Sequence, residues 1–410
     1  MTVRASLRIF GLAAVFVSTL VCGALALGTG PASRQWTTFQ QGSDHTGHAH
    51  VSLNPKHFET LWQKTVASGQ GRDLNPVAAS AGKLFVSEVG YLVRPLDLCA
   101  LSASTGDSLW KVDVGPVYSM SPPAYGSGNV YVQTVVWSGE AYLSAYDAES
   151  GSLIFRTPYP DQWGQHNSPT VFNRTVYING GTFGGMCAFD AFTGQRQWEA
   201  GLPQYDLWSP AVDERRAFAY VGEGEYYKGL FVLDRMTGVE LLRIFDPGFQ
   251  GGVRSYSAPV LGGQNDVLSI NAGRLVSFDV QGGRVRWEVQ RTFAGQPAIA
   301  HGVIFAIDEG TLSARDERSG AALWSWSPPE GALLGYLLVT DSHVFAHTRS
   351  TVYGVDLKAR ESVWSHPLTV QSYSLGAHLA YADGILFMIE PDFVTAVWLG
   401  PGRRGLSVQR

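Results

Sequence analysis

Ala188-Phe189-Asp190-Ala191-Phe192-Thr193-Gly194, followed four residues later by Trp198, is the clearest copy of a phrase that recurs along the chain. Each copy consists of a small residue, an apolar residue, Asp, variable residues and Gly. The aromatic or apolar residue four positions after the Gly is here called the marker. Seven copies end at Trp110, Phe155, Trp198, Leu242, Trp287, Trp324 and Trp364. Repeats of this length, with turn signals between short strands, cannot bury their faces alone and must stack on neighbours. The sequence therefore predicts a circular array of small β-sheets.

The two ends of the array predict how the circle closes. Trp62 lies 48 residues before Trp110 in a strand-like segment, 58–62, that has no such phrase before it. After Trp364, residues 379–390 and 393–398 read as two or three strands without a fourth. We expect the N-terminal strand to complete the last sheet, because this closure removes the open edges of a linear array. The predicted fold is an all-β, eight-bladed propeller of four-stranded antiparallel blades.

Each residue type in the phrase has a physical role. The Asp accepts hydrogen bonds from the backbone of its own turn, and the Gly takes a positive φ. The large aromatic residue covers the small residue of a neighbouring blade. We expect weaker turns where Ser102 replaces the Asp and Arg360 replaces the Gly.

This pattern resembles the pyrroloquinoline-quinone-like repeat over about residues 58–398. That repeat family includes quinone-dependent alcohol dehydrogenases and the periplasmic scaffold lipoprotein of outer-membrane barrel assembly. The resemblance implies the eight-bladed propeller. It does not assign an activity, because one fold hosts many functions.

The N-terminus predicts secretion or a periplasmic location. Arg4 and Arg8 precede an apolar run and an Ala24-Leu25-Ala26 cleavage pattern, so residues 1–26 are predicted to be a signal peptide. The run is also long enough for an uncleaved anchor, which would be the only link to a membrane. Residues 27–57 are predicted to form a leader arm that runs over the surface, with residues 36–62 packing across the ring. Residues 58–400 form the propeller and residues 401–410 a tail.

Composition limits the partners. Formal net charge is -5 for the whole chain, and no basic run occurs, which excludes nucleic acid as a partner. An apolar content of 45% over 410 residues suffices for one large core, and a monomer is expected. Without the leader, only Cys99 and Cys187 remain. Because they occupy equivalent places two blades apart, we predict buried free thiols rather than a disulfide.

The mouth of the channel is where a ligand site is predicted, since inter-blade connections and the loops between second and third strands meet there. Aromatic and charged side chains suit a protein or glycan ligand. The predicted ligand-binding residues are Arg72, Tyr118, Asp206, Trp208, Glu223, Glu225, Tyr226, Tyr336 and Tyr373. Trp137, Glu140 and Tyr227 lie in the same loops.

Two catalytic alternatives remain open. His166, Tyr205, Arg254 and Tyr256 could remove a proton next to a carboxylate, as in a polysaccharide lyase. The second alternative is a dehydrogenase that uses pyrroloquinoline quinone and calcium. Such an enzyme requires an adjacent cysteine pair and long insertions, and this chain lacks both. We therefore expect no cofactor.

The leader arm also carries a candidate metal site. His45, His48 and His50 lie within six residues and could hold zinc or copper as neutral imidazoles. The overall prediction is an extracytoplasmic binding or scaffold propeller that uses its channel mouth, because rigid rings present many loops at once.

Overall fold

The computed structural model of the chain describes residues 35–67, 73–90, 94–162, 164, 166–203, 207–251, 256–263, 265–369 and 377–400. Within these residues the regular structure is β-strand, apart from the 3₁₀ turn Pro55–His57. No helix in this described part is long and apolar enough to cross a membrane. Residues 1–26 and 401–410 lie outside it, so the predicted signal peptide and tail stay predictions.

The strands of the described residues form seven hydrogen-bonded sheets, and the largest joins two four-stranded antiparallel units through the parallel pair Gln296 and Tyr336. We divide these sheets into eight units, named blades 1 to 8 with strands A to D, and strand A of blade 2 consists of two short segments. In blades 1 to 4 these strands are Ala78–Ser80, Lys83–Ser87, Arg94–Ser102 and Ser108–Val117; Ser119–Met120 with Ala124–Gly126, Asn129–Val135, Ala141–Asp147 and Leu153–Tyr159; Thr170–Phe172, Thr175–Asn179, Gly185–Asp190 and Arg196–Gly201; and Ala211–Val212, Arg216–Glu223, Tyr227–Asp234 and Glu240–Phe245. In blades 5 to 8 they are Val260–Leu261, Asp266–Asn271, Arg274–Asp279 and Arg284–Gln290; Phe293–Ala300, Val303–Asp308, Thr311–Asp316 and Ala322–Trp326; Leu334–Thr340, His343–His347, Thr351–Asp356 and Ser362–Pro367; and His378–Ala382, Ile385–Ile389, Phe393–Trp398 and Glu59–Thr65. The architecture confirms the predicted all-β propeller.

Blade 8 takes its outer strand from the N-terminal part of the chain. Glu59–Thr65 pairs antiparallel with Phe393–Trp398, and Gln63 lies opposite Thr395. The predicted closure is therefore confirmed. It hydrogen-bonds an edge of Phe393–Trp398 that would otherwise be exposed.

The Asp and Gly of the repeat phrase determine the geometry of the turns that recur between strands C and D. Asp190 Oδ1 accepts hydrogen bonds from the backbone N–H groups of Phe192 and Thr193 at 3.0 and 2.8 Å. Gly194 has a φ of 70°. Arg360, which replaces the Gly in blade 7, takes the same left-handed conformation with a φ of 60°. The turn therefore forms there without Gly, at the steric cost that a side chain pays in this region.

Several marker tryptophans join their blade to the next one. Trp110 of blade 1 lies against the turn glycine of blade 2, Gly151, where an added Cβ would come within 2.8 Å of the indole ring. The indole Nε1 of Trp110 donates to the backbone oxygen of Ala148 in that turn at 3.0 Å. Trp62 and Trp198 make the same kind of contact. The predicted packing of the aromatic residue on a neighbouring blade is confirmed.

The core lies between the blades. The third residue of strand B is large, apolar or aromatic, and buried in every blade. These residues are Phe85, Tyr131, Tyr177, Phe218, Leu268, Phe305, Phe345 and Phe387. In blade 1 the ring of Phe85 lies 6.1 Å from that of the marker Trp110. Side chains of strand B alternate between its two faces, and the large residues at the third position form a layer that packs adjacent sheets together.

In the described part of the leader arm, residues 35–49 pack against the ring, whereas residues 50–57 are half-buried or exposed. Through Gly47 the arm contacts residues at or beside strand A of blades 1 to 7 in chain order. The hydrogen-bonded pairs are Trp36 with Ala79, Thr37 with Tyr125, Thr38 with Pro169, Ser43 with Val212, Asp44 with Leu261, Thr46 with Ile299 and Gly47 with Val339. The predicted surface path does not hold for residues 35–49, which pack across the ring, and residues 27–34 lie outside the described residues. Backbone groups of the inner strands are satisfied by the backbone of the arm.

Candidate functional site

The two ends of the propeller differ in what covers them. In an antiparallel four-stranded blade, the A–B and C–D turns lie at one end, and the B–C loops and inter-blade connections lie at the other. We name these the turn end and the loop end. Val212, Leu261 and Ile299, which hydrogen-bond to the arm, lie next to the A–B turns of their blades. The arm therefore covers the turn end of the channel.

A side chain of the arm also fills the channel. The ring of Phe39 lies 6.3 Å from that of Tyr256 and 5.1 Å from that of Tyr336. Tyr336 in turn stacks on His378 with ring centroids 5.7 Å apart. The cavity that remains beside these rings measures about 10 Å³, which is close to the space of a single water molecule.

Hydrogen bonds link the inner segments of different blades. The hydroxyl of Tyr256 donates to Asn75 Oδ1 at 3.1 Å, which links blade 5 to blade 1. Asn167 Nδ2 donates to the backbone oxygen of Ser257 at 3.0 Å. Tyr336 is buried, its hydroxyl lies 3.3 Å from the backbone oxygen of Tyr256, and burial raises its pKa. The predicted mouth residues Tyr256 and Tyr336 therefore contribute to a packed plug.

His166, the predicted catalytic base, lies beneath the surface. It is 4% exposed, and its Nε2 lies 3.1 Å from Asp161 Oδ2 and 3.3 Å from the hydroxyl of Tyr159. Burial by itself raises the pKa of Tyr159, and the nearby Asp161 carboxylate raises it further. This arrangement satisfies buried polar groups, and it does not expose an imidazole to a polymeric substrate.

Trp208 is also buried, and its backbone pairs with Ser257. The remaining predicted mouth residues of the inter-blade connections lie outside the described residues. They are Arg72, Tyr205, Asp206, Arg254 and Tyr373. Their roles stay predictions, so the convergence that the lyase hypothesis requires has no described geometry.

The predicted residues of the B–C loops lie at the surface of the loop end. Glu223, Glu225 and Tyr226 of blade 4 are exposed. Tyr118 is half-buried, and its ring lies 6.1 Å from that of Trp137 in the B–C loop of blade 2. The structure thus divides the predicted ligand-binding residues into buried plug residues and exposed loop residues.

Exposed aromatic residues occur in the B–C loops of three successive blades. Trp137 of blade 2 is 75% exposed, Phe183 of blade 3 is 73% exposed and Tyr226 of blade 4 is 76% exposed. Phe183 was missed from sequence, because Gly180-Gly181-Thr182-Phe183-Gly184 carries no charged or hydrogen-bonding side chain besides Thr182. Its position between loops that carry Trp137 and Tyr226 would have been the signal.

In the structure His45 lies apart from the other two histidines of the predicted trio, whereas the rings of His48 and His50 stay 4.1 Å apart. His45 is fully buried, with Nδ1 2.6 Å from the backbone oxygen of Phe39 and Nε2 3.0 Å from that of Pro210. Burial lowers the pKa of His45, against those hydrogen bonds. Because both ring nitrogens face carbonyl oxygens, His45 offers no free ligand atom for a metal. His48 instead approaches His301 and Asp341, two residues that sequence reasoning did not connect to it.

The part of the channel beside Phe39 and Tyr336 has no room for a quinone cofactor. The described residues leave about 10 Å³ there, whereas a cofactor chamber must enclose a molecule many times larger. Cys99 and Cys187 are free and buried, as predicted, and burial raises the pKa of each thiol to about 12. These two thiols therefore do not form the adjacent cysteine pair of the quinone-dependent alcohol dehydrogenases.

The protein is a closed array of four-stranded blades with recurring Asp–Gly turns and marker tryptophans. This arrangement defines it as a β-propeller of the pyrroloquinoline-quinone-like repeat class. The family profile described as "Outer membrane protein assembly factor BamB" matches residues 47–156, 96–204 and 140–366. The chain belongs to this family. No match is found among curated proteins.

Solved structures share the fold at low sequence identity. BamB from Moraxella catarrhalis is 13% identical with a TM-score of 0.59, over 85% of this chain and 99% of that one. A europium-containing methanol dehydrogenase is 12% identical with a TM-score of 0.60, over 87% and 89%. Quinohemoprotein alcohol dehydrogenase ADHIIG from Pseudomonas putida HK5 is 14% identical with a TM-score of 0.64, over 92% and 81%. Likeness at this level concerns the fold alone.

Proposed function

We propose that this protein is an extracytoplasmic scaffold that binds a protein partner on its loop end. The observation that carries the proposal is the set of exposed aromatic side chains in the B–C loops of blades 2, 3 and 4, namely Trp137, Phe183 and Tyr226. Each places most of an aromatic ring in water, and these three are the most exposed large hydrophobic side chains of the described residues. Exposed apolar groups clustered on one face are typical of interaction sites.

The chemistry of these loops suits a protein. Tyr and Trp are enriched among residues that dominate binding energy at protein interfaces. Glu140, Glu223 and Glu225 are exposed in the same loops of blades 2 and 4 and give this face acidic groups. A complementary partner would present apolar side chains together with Lys or Arg, since opposite charge favours encounter and orientation.

The family match supports a scaffold. The matched family is described as an outer membrane protein assembly factor. The dehydrogenase structures share the fold, but Phe39 fills the channel here and His166 is buried. The predicted leader supports a location outside the cytoplasm. Aromatic rings also stack on sugars, so a glycan ligand is the outcome that the experiment must separate.

Affinity capture from an envelope extract tests the proposal. The bait is the full chain, compared with a triple variant Trp137→Ala, Phe183→Ala and Tyr226→Ala and with the matched variants Phe192→Ala and Met236→Ala. Phe192 and Met236 are exposed in the C–D turns of blades 3 and 4, at the opposite end. Replacing a loop residue that anchors the partner with alanine should weaken binding about tenfold or more.

The proposal requires that the wild type and the turn-end variants retain the same protein partner and that the triple variant loses it. Equal recovery by the triple variant would contradict it. A glycan array probed with the same four proteins tests whether the ligand is a glycan instead. Glycan binding that is lost in the triple variant, without any captured protein, would also contradict the proposal of a protein partner.

A further inference from the structure

Two histidines and one aspartate from distant parts of the chain meet at the turn end. His48 Nε2 lies 2.8 Å from Asp341 Oδ1, and His301 Nε2 lies 2.9 Å from the same oxygen. One ligand atom from each of the three residues lies within 4.8 Å of the others. The three side chains therefore share one small volume although up to 293 residues separate them in sequence.

Backbone pairing places these residues together. The arm strand His48–Ala49 runs parallel to strand A of blade 7, with His48 opposite Val339 and Ala49 opposite Thr340. Asp341 follows that strand directly, in the A–B turn of blade 7. His301 occupies the corresponding A–B turn of blade 6, where its φ is 52°. The arm thus inserts an imidazole between the turns of two neighbouring blades.

The donor set suits a borderline divalent cation. Imidazole nitrogen and carboxylate oxygen are ligands of Zn²⁺, and two histidines with one carboxylate form a three-ligand site whose other positions water can fill. The side chain of His48 is 5% exposed, that of Asp341 29% and that of His301 60%, so the site has a buried anchor and an open side. A cavity of about 610 Å³ lined by His48 and His301 lies there.

Further polar groups surround the three ligands. The His50 ring lies 4.1 Å from that of His48. Asp44 and Glu317 line the same cavity as His48 and His301. These groups could contact an ion or its bound water from the open side of the site.

We propose that His48, His301 and Asp341 bind one divalent transition-metal ion of the zinc type and thereby fasten the arm to blades 6 and 7. The site is independent of the partner-binding face, because it lies at the opposite end of the ring. Binding to the folded state alone would stabilise the closed arrangement of arm and blades. The ion would replace the two hydrogen bonds that Asp341 Oδ1 makes to the imidazoles.

Calorimetric titration of chelator-treated full-length protein with Zn²⁺ tests the site, with the melting temperature and the visible absorption of bound Co²⁺ as further readouts. The informative variants are His301→Ala, which changes an exposed residue, and Asp341→Asn, which keeps the side-chain size. The control is His57→Ala, an exposed histidine of the same arm outside the cluster. Melting temperatures without metal establish that each variant is folded.

The expected result is one Zn²⁺ per chain, a higher melting temperature with metal and a Co²⁺ spectrum of nitrogen and oxygen ligands. Removing a ligand should weaken binding by at least about tenfold, because even outer-shell partners of metal sites contribute this much. His57→Ala should bind as the wild type does. Absence of Zn²⁺ binding, or equal affinity in either His301→Ala or Asp341→Asn, would overturn the proposal and leave a hydrogen-bonded cluster.

Discussion

At the scale of single residues, the turn glycine is required for two separable reasons. Gly151 has a φ of 72°, and a Cβ there would lie 2.8 Å from the ring of Trp110. Gly82 has the same φ of 72° but no atom within 4 Å of an added Cβ. The two positions therefore distinguish the cost of the left-handed backbone from the cost of a clash with the marker tryptophan.

Substituting both glycines separately measures the contact between blades. Gly82→Ala should lower the free energy of unfolding by about 1–2 kcal/mol, the cost of a side chain in this conformation. Gly151→Ala should lower it by about 1–3 kcal/mol more, because the methyl group overpacks the indole. Urea denaturation of the two variants provides the comparison. Equal losses would show that Trp110 does not constrain the turn.

His347 gives the stability of the protein a defined pH dependence. It is fully buried, and burial lowers its pKa, whereas hydrogen bonds with the backbone of Thr348 and Ala377 raise it. The unfolded chain, with a histidine pKa of about 6.5, therefore gains this proton at a higher pH than the folded chain. The free energy of unfolding should fall as the pH drops below that value, by up to about 1.4 kcal/mol per pH unit for this group.

The variant His347→Gln removes this proton linkage. Denaturant titrations of wild type and variant between neutral pH and mildly acidic pH should show a flatter decline in the variant. Above the histidine range the two slopes should coincide, because neither state then binds the proton. An unchanged slope in the acidic range would contradict the lowered pKa of His347.

At the scale of elements, the arm is a structural part of the ring. Phe39 packs on Tyr336 and Tyr256, and it is almost fully buried. Phe39→Ala should lower the free energy of unfolding by about 3–5 kcal/mol, the usual loss for a buried phenylalanine. The exposed Phe183→Ala is the matched control and should stay within about 0.5 kcal/mol of the wild type. A small effect at both positions would mean that the plug is not a stabilising element.

The sequence predicted best those elements whose contacts depend on particular side chains of the repeat. An Asp that bonds its own turn, as Asp190 does, and a Trp such as Trp110 that covers the next glycine leave a repeating signal in the sequence. The arm left no such signal, because its contacts with strand A use backbone groups, as between Thr46 and Ile299. A surface path was therefore predicted wrongly for residues 35–49, although the closing strand was found.

The candidate sites show the same limit. The exposed residues of the B–C loops were recognisable, because polar and aromatic residues such as Glu223 and Tyr226 cluster in a predicted loop. The burial of His166 was not, since it depends on Tyr159 at the end of strand D of blade 2 and on Asp161 in the connection that follows. The grouping of His48 with His301 also could not be derived, because pairing between the arm and blade 7 creates it.

At the scale of the whole molecule, closure joins the two ends of the described chain. Gln63 Nε2 donates to Thr395 Oγ1 at 3.3 Å across the pair of strands that closes the ring. The variant Gln63→Cys/Thr395→Cys should therefore form a disulfide. It would close a loop of more than 300 residues and could raise the free energy of unfolding by up to about 5 kcal/mol.

Cys99 and Cys187 are buried and should not interfere with this bond. Non-reducing mass spectrometry identifies the cross-link, and thermal unfolding with and without reductant gives its effect. A double variant that remains reduced under oxidising conditions would contradict the pairing of the two strands.

The claim that the loop end binds the partner is tested most directly by photo-cross-linking from blade 3. A photoreactive phenylalanine analogue replaces either Phe183 at the loop end or Phe192 at the turn end, and both proteins are irradiated in an envelope extract of the source organism. We predict a defined cross-linked protein from position 183 and none from position 192. Cross-linking from position 192 with none from position 183 would contradict the account.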